Sequence, residues 1–348
     1  MEPTPWPQRL QAALRATRTP LARAVSEALA DALPQALADT GLAHHHLRLP
    51  GTGLLARLPK QSQMRLSPEA NLRYQAACFA RAQASGHTPR LAGVLAPQPA
   101  LPWGALLVEE ITGRAPRLSG DLPRDLPALM QALARIHALQ LPPPSQRAPL
   151  LRAARPAARM LQEIDAQALH LAAPAVAPAS RARIRAVRRA WRAPRPAPAC
   201  LIAFDTHPGN FIVRADGQAV LVDLEKARYS LPALDVAHAT LYTSTTWDLA
   251  SHAVLAPAQV AQGYAVWRAA LGSAAGHPDD WLAWRQAMWL WSVTWCAQWL
   301  AGPADGNLGA AGDALFSHVH ERVLHYLDPQ TVHDVADGFD ALARLLRA

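Results

Sequence analysis

Between residues 203 and 225 the chain sets a carboxylate, a carboxamide and a second carboxylate at a spacing that can hold a divalent ion. The segment reads AFDTHPGNFIVRADGQAVLVDLE, with Asp205 five positions before Asn210 and Asp223 further on. Two apolar runs, Phe211 to Val213 and Ala219 to Val222, flank Asp216-Gly217. Asp-Gly supplies the positive-φ positions of a tight turn, so this pattern predicts a β-hairpin. A hairpin returns the chain to the loop it left, and Asp205, Asn210 and Asp223 are therefore expected at one end of a short ribbon. Hard oxygen donors suit Mg²⁺, which takes few protein ligands and completes its shell with phosphate oxygens and water. That chemistry is phosphoryl transfer; an ordinary hairpin with polar loops is the alternative.

D-x-x-x-x-N before a hairpin and Asp after it is also the order of a kinase catalytic loop and its metal-binding Asp. On that reading Asp205 is the catalytic base, or orients the attacking hydroxyl, and Asn210 and Asp223 hold Mg²⁺. Glu225 is a further metal candidate, or equally a surface residue beside Lys226.

Several motifs in consistent order, from about residue 45 to 245, resemble the aminoglycoside phosphotransferase and choline kinase family of small-molecule kinases. Ala203 to Asn210 matches its H-G-D-x-H-P-G-N signature in part, and Val222-Asp223-Leu224-Glu225 matches I-D-x-E. Leu234-Asp235-Val236-Ala237 is similar to the D-L-A that opens the next helix, Leu106 to Arg114 to the lobe-connecting hinge, and Leu133 to Leu139 to L-x-x-L-H-x-L. The resemblance implies an α+β, protein-kinase-like two-lobed fold. Its N-lobe is a small antiparallel sheet with one main helix, and its larger, mainly helical C-lobe carries the catalytic hairpin. It implies ATP and Mg²⁺ as cofactors, adenine at the backbone of Glu110 and Ile111, and Arg57 on the phosphates, with Lys60 in reserve. The acceptor it implies is a hydroxyl of a small, amine-bearing metabolite, choline- or ethanolamine-like or an amino sugar.

Three departures accompany the match. Ala203 and Phe204 replace the signature's first His and Gly, and Gln75 stands where a Glu is expected to pair with the phosphate-binding cation. Glu69 is the nearest acid able to take that place, and no glycine-rich phosphate loop is recognisable. These changes raise a rival reading, a catalytically weakened pseudokinase acting as a nucleotide- or ligand-binding regulator.

The elements that must position these residues follow from pattern. Residues 1–38 read as a helical extension, 39–112 as a nucleotide-binding N-lobe, and 113–348 as the helical C-lobe with the acceptor site. Strands are expected around Gly51-Thr52-Gly53, near 90–95 and near 104–109. Ser67-Pro68-Glu69 starts a helix: an N-cap hydroxyl, a proline in the first turn, and an acid at the positive dipole end. His44, His45 and His46 lie in strand and point alternately, so the three do not chelate together. His207 is read as bracing its turn and His137 as a hydrogen-bonded core histidine.

A chain of 348 residues, 51% apolar, can bury a full core and divide into two lobes. Its formal charge of +8 comes from arginine, since Lys60 and Lys226 are its only lysines. The run Arg181, Arg183, Arg185, Arg188, Arg189, Arg192 and Arg195 reads as a solvated helix in preference to an anionic-partner patch, which makes a nucleic-acid partner unexpected. Three scattered cysteines suit a reducing cytoplasm, no signal peptide is apparent, and no membrane association is expected. Trp284, Met288, Trp291, Trp295 and Trp299 share one helical face; it is a core stripe, or lines a cation–π pocket for a quaternary ammonium. Asp248, Asp279, Asp280 and Asp305 could instead supply carboxylates for an aminoglycoside.

Overall fold

The computed structural model describes residues 4–38, 43–119, 124–195, 197–302 and 313–347. Prolines open the first two helices, α1 (Trp6–Ala16) and α2 (Pro20–Ala28), where the amide they lack would have no partner. Thr19 caps α2 by accepting from Ala22 N at 3.2 Å. The helical extension then ends earlier than expected. Past Pro34 the chain extends, and β1 (Gln35–Ala36) pairs with Arg48 and Leu47 of β2 (His44–Leu49). A two-residue strand made by non-local pairing leaves no periodicity to read.

β2 turns through Gly51 and Gly53, both at positive φ, into β3 (Leu54–Pro59). The connection from β1 to β2 includes residues 39–42, so the missing glycine-rich loop falls partly outside the described residues. Next come α3 (Pro68–Ala82), capped by Ser67 as expected, β4 (Leu91–Leu95) and β5 (Ala105–Glu109). The sheet order is β1-β2-β3-β5-β4, all antiparallel.

Alternation of side chains gives the sheet two apolar faces. Leu10, Leu14, Val25 and Leu29 of the α1–α2 segment cover one, against Leu47, Leu49, Leu58 and Leu107. Leu72 and Phe79 of α3 meet Leu106 and Val108 on the other. At Gly93 an added Cβ would lie 2.4 Å from Leu21 Cδ2, so α2 lies close over β4 and a larger residue there would displace the Leu21 side chain. α1 and α2 are therefore a layer of the N-lobe.

The C-lobe begins with α4 (Leu126–His137), α5 (Pro156–Ala168) and α6 (Pro178–Ala190). Two small ribbons follow. β6 (Cys200–Ile202) pairs with β9 (Arg228–Ser230), and between them β7 (Phe211–Val213) pairs with β8 (Ala219–Leu221). The chain continues through α7 (Ala233–Thr240), α8 (Tyr242–Thr245), α9 (Pro257–Leu271), α10 (Pro278–Ala301), α11 (Asp313–Tyr326) and α12 (Pro329–Arg347). α10 packs against α5, α7 and α12 at once. It is apolar on every side, as a helix surrounded by others must be. Trp281, Trp284, Trp289 and Trp299 are buried in it, and Trp291 and Trp295 are half-buried.

Three arginines of the run on and after α6 pair with neighbouring helices. Arg188 pairs with Asp165 at 2.8 Å, Arg195 with Asp280 at 2.9 Å, and Arg183 with Asp337. No helix among the described residues is long and apolar enough to cross a membrane.

Candidate active site

The loop after β6 is fixed by one buried carboxylate in the first turn of α7. Asp235 accepts from Ala203 N at 2.7 Å and Phe204 N at 2.8 Å, and its backbone oxygen takes the Thr206 hydroxyl at 2.7 Å. His137 of α4 donates Nε2–H to the same carboxylate at 3.2 Å, while its Nδ1 accepts from the Trp267 indole at 3.0 Å. Those two contacts set the tautomer of His137, the core histidine expected from sequence. Thr206 N donates to His238 Nδ1 at 3.0 Å.

Phe204 has φ +66°, a left-handed conformation that costs a bulky residue roughly 1–3 kcal/mol. This is the position where the signature has glycine. Two contacts hold the ring: the Arg228 guanidinium 3.7 Å above its centroid and the edge of Trp291 at 5.1 Å.

Asp205 follows directly. Its Oδ2 accepts from Lys226 Nζ at 2.6 Å, and its backbone oxygen accepts from Asn210 Nδ2 at 2.9 Å. Burial pushes the Asp205 carboxyl up, but Lys226, His207 and His238 outweigh it and hold the group below the usual carboxylate range. The Asn210 carboxamide thus has its nitrogen committed and its oxygen left over. Asn210 O accepts from Val222 N at 2.8 Å, one residue before Asp223, so the β7–β8 ribbon carries Asp205, Asn210 and Asp223 at one end. At Gly209 an added Cβ would lie 2.7 Å from Asp248 Cβ; the missing side chain lets Asp248 sit against this loop. Asp248 Oδ2 accepts from the amide and hydroxyl of Ser251, both at 2.9 Å.

On the N-lobe side Arg57 is buried and reaches across both lobes. Its Nη2 donates to Asp223 Oδ1 at 2.8 Å and its Nη1 to Val222 O at 3.0 Å. Lys60 lies past the end of β3, where its amide donates to Ala43 O. Gln75 does not face Arg57 as the missing Glu was expected to. It accepts from His44 Nε2 at 2.9 Å and donates to Glu225 Oε2 at 3.5 Å, while His44 Nδ1 faces Arg57 Nη2 at 3.4 Å. Glu69 is exposed in the first turn of α3 and does not replace the pairing acid. Burial, reinforced by Arg57, pushes His44 down to about 4. Burial beside Asp223 pushes Glu225 up to about 8.

Ligand atoms of His44, Asp223 and Glu225 lie within 4.8 Å of one another. Asp223 and Glu225 of this cluster offer hard oxygen donors of the kind Mg²⁺ takes. At the hinge, the Glu110 amide is committed to Gly53 O at 2.9 Å and its carboxylate to Arg48 Nε at 2.5 Å. The Glu110 carbonyl and the backbone of half-buried Ile111 complete that edge. The segment just beyond clips onto the catalytic ribbon, since Arg114 and Val213 exchange backbone hydrogen bonds at 3.0 and 2.8 Å.

Two residues close to these carboxylates escaped the sequence reading. His44 was taken only as strand, and Lys226 only as a neighbour of Glu225. The signal for Lys226 was its rarity, as one of two lysines in an arginine-rich chain. Of the acceptor-side candidates, Asp248 alone is brought to the catalytic loop. Asp279 and Asp280 lie in the first turn of α10, paired with Arg347 and Arg195, and Asp305 lies outside the described residues.

A sequence model of the phosphotransferase enzyme family matches residues 50–272. No curated protein matches the chain. Among solved structures, a choline/ethanolamine kinase family protein from Mesorhizobium loti aligns over 99% of both chains, with TM-score 0.60 and 17% identity. A choline kinase from Cryptosporidium parvum aligns over 98% of this chain and 99% of its own, with TM-score 0.56 and 10% identity. Spectinomycin phosphotransferase, in complex with ADP and spectinomycin, aligns over 88% of this chain and 93% of its own, with TM-score 0.56 and 11% identity. At such identities the likeness is one of fold.

Proposed function

The chain belongs to the phosphotransferase enzyme family, and from that premise we propose that it transfers the γ-phosphate of ATP, with Mg²⁺, to a hydroxyl of a small, amine-bearing metabolite. The observation that carries this reading is the convergence of Asp205, Asn210 and Asp223 at one end of the β7–β8 ribbon. Nucleotide use is supported by the fold shared with a phosphotransferase that binds ADP.

In this reading Asp205 accepts the hydrogen bond of the acceptor hydroxyl and aims its oxygen at phosphorus. Its low proton affinity keeps it an acceptor at neutral pH. Lys226, already on Asp205 Oδ2, places an ammonium beside the site of transfer, where charge stabilisation dominates catalysis. Asn210, Asp223 and Glu225 would hold Mg²⁺, which would supply charge neutralisation at the phosphates. Arg57 lies deep enough to reach the phosphates while bonded to Asp223. Glu110 and Ile111 meet adenine through the Glu110 carbonyl and the Ile111 amide. Asp248, against Gly209 and next to Trp247, is the group for an acceptor ammonium. The Trp247 indole stacks on Tyr326 and meets Trp295 edge-on, an aromatic wall suited to a cation.

One observation favours the rival, a weakened kinase that binds nucleotide without turnover. Arg57 and Lys226 occupy Asp223 and Asp205, so metal and acceptor must share or displace them. ATP consumption across a panel of amino alcohols and amino sugars separates the two. The enzyme reading expects turnover on at least one acceptor, reduced about 10²–10⁴-fold by Asp205→Asn. Tight nucleotide binding with no turnover on any acceptor establishes the rival, and undiminished turnover in Asp205→Asn removes that residue from the mechanism.

A further inference from the structure

The Phe204 side chain forms part of the wall of a second cavity, of about 210 Å³, at the junction of α5, β9 and the catalytic loop. Its lining includes three arginines, Arg152, Arg159 and Arg228, and a single carboxylate, Glu163. That carboxylate is already in use. Its Oε1 accepts from Arg159 Nε at 2.9 Å and, at 3.5 Å, from Arg228 Nη1; its Oε2 accepts the Trp291 indole N–H at 3.1 Å. The lining carries two positive charges more than its one acid balances. Burial of an imperfectly compensated guanidinium is costly, and desolvation pushes Arg228 down from its ordinary value.

Two further features turn a charge surplus into a shaped site. Ser230 is 8% exposed, lines the cavity, and its hydroxyl has no hydrogen-bond partner among the described residues. The thirteen-residue helix α5 starts at the wall with Pro156; its first turn holds no acid, and its N-cap Arg155 supplies no side-chain acceptor. Pro156 carries no N–H, so at the wall this helix end contributes only the partial positive charge of its dipole. Guanidinium forks and an idle hydroxyl are donors that a tetrahedral oxyanion takes up, and the adjoining helix start favours its negative charge. The volume is below the roughly 300–1,000 Å³ of pockets for drug-sized molecules, which limits the guest to a small one.

We infer that this cavity binds a small phosphate-bearing anion, held by Arg152, Arg159, Arg228 and Ser230. The site is independent of the transfer chemistry proposed above, yet it adjoins it. Arg228 Nε donates to Lys226 O at 3.3 Å, and the Arg228 guanidinium is one of the contacts that restrain the strained Phe204. An anion competes with the Phe204 ring for that guanidinium one residue before Asp205.

Calorimetric titration of the full chain with inorganic phosphate, at constant ionic strength, tests the assignment. Arg152 and Arg159 are exposed, so Arg152→Gln with Arg159→Gln keeps the core intact. Arg185→Gln with Arg189→Gln makes the same charge change on exposed positions of α6. Wild type and the α6 variant are expected to bind phosphate equally. The Arg152/Arg159 variant is expected to bind about tenfold or more weakly, and Ser230→Ala to show a smaller loss. Absence of millimolar binding in wild type overturns the inference. Equal affinity in both double variants also overturns it, because phosphate would then sit in the nucleotide cleft or on the general surface.

Discussion

Around Asp235 the polar groups of the catalytic loop meet partners at 2.7 to 3.2 Å. Around Arg57 the direct bonds to Asp223 and Val222 O, at 2.8 and 3.0 Å, are as short, but the contacts behind them are slack. His44 to Arg57 spans 3.4 Å, Gln75 to Glu225 3.5 Å, and His44 to Glu225 3.9 Å, and the buried Arg57 Nε has no partner among the described residues. Both clusters are buried, so their difference lies in the length of the contacts rather than in solvent. The loop that positions the attacking group is pre-organised by a network with short contacts. The side that meets nucleotide and metal is loosely joined across the two lobes, and can rearrange at lower cost when charge arrives.

The sharpest way to break this contrast is to remove its centre. Asp235→Ala leaves the Ala203 and Phe204 amides and the His137–Trp267 pair without their shared acceptor. It is expected to lower stability by about 3–5 kcal/mol in denaturant unfolding. A loss under about 1 kcal/mol would show that the loop is held by packing alone.

The slack side is sharpened by Glu225. Its carboxyl is raised, so the folded chain keeps a proton that the unfolded chain loses above about 4.5. Stability attributable to it therefore falls as pH rises from there until the folded group itself titrates near 8. In the absence of divalent ions, Glu225→Gln is expected to gain on wild type across that window, by on the order of a few kcal/mol. Parallel pH–stability curves for the two proteins would remove the effect.

Gln75→Glu gives a smaller and opposite change. The new carboxyl meets Glu225 in place of a hydrogen bond, so the substitution is expected to destabilise by about 1–3 kcal/mol instead of restoring a partner for Arg57. A gain in thermal midpoint would show Arg57 turning to it. Smallest is the surface control Arg183→Ala, which breaks a partly exposed pair with Asp337 and is expected to cost about 0.2–1 kcal/mol. A loss as large as that of Asp235→Ala would mean that α6 carries the lobe.

The tight cluster was also the more legible one. Asp-Gly between apolar runs, the spacing of Asp205 and Asn210, and the Asp235 helix start lie within about thirty positions, where local turn chemistry decides geometry. The slack cluster joins Arg57 to residues 165 and 166 positions away. Its partners follow from lobe packing, which no local pattern encodes. Gln75 thus read as a defect in an ion pair, when it bridges His44 and Glu225. The pairing of Gln35 and Ala36 with β2 is non-local in the same way. Phe204 was noticed as a departure, but its left-handed backbone and its place against Arg228 belong to the folded chain.

The most direct measurement is calorimetric ADP binding with Mg²⁺ and with EDTA, on wild type and Asp223→Asn. The account expects Mg²⁺ to tighten ADP binding to wild type about tenfold or more, and the substitution to abolish that dependence. Indifference of wild type to Mg²⁺, or an undiminished Mg²⁺ effect in Asp223→Asn, would contradict it.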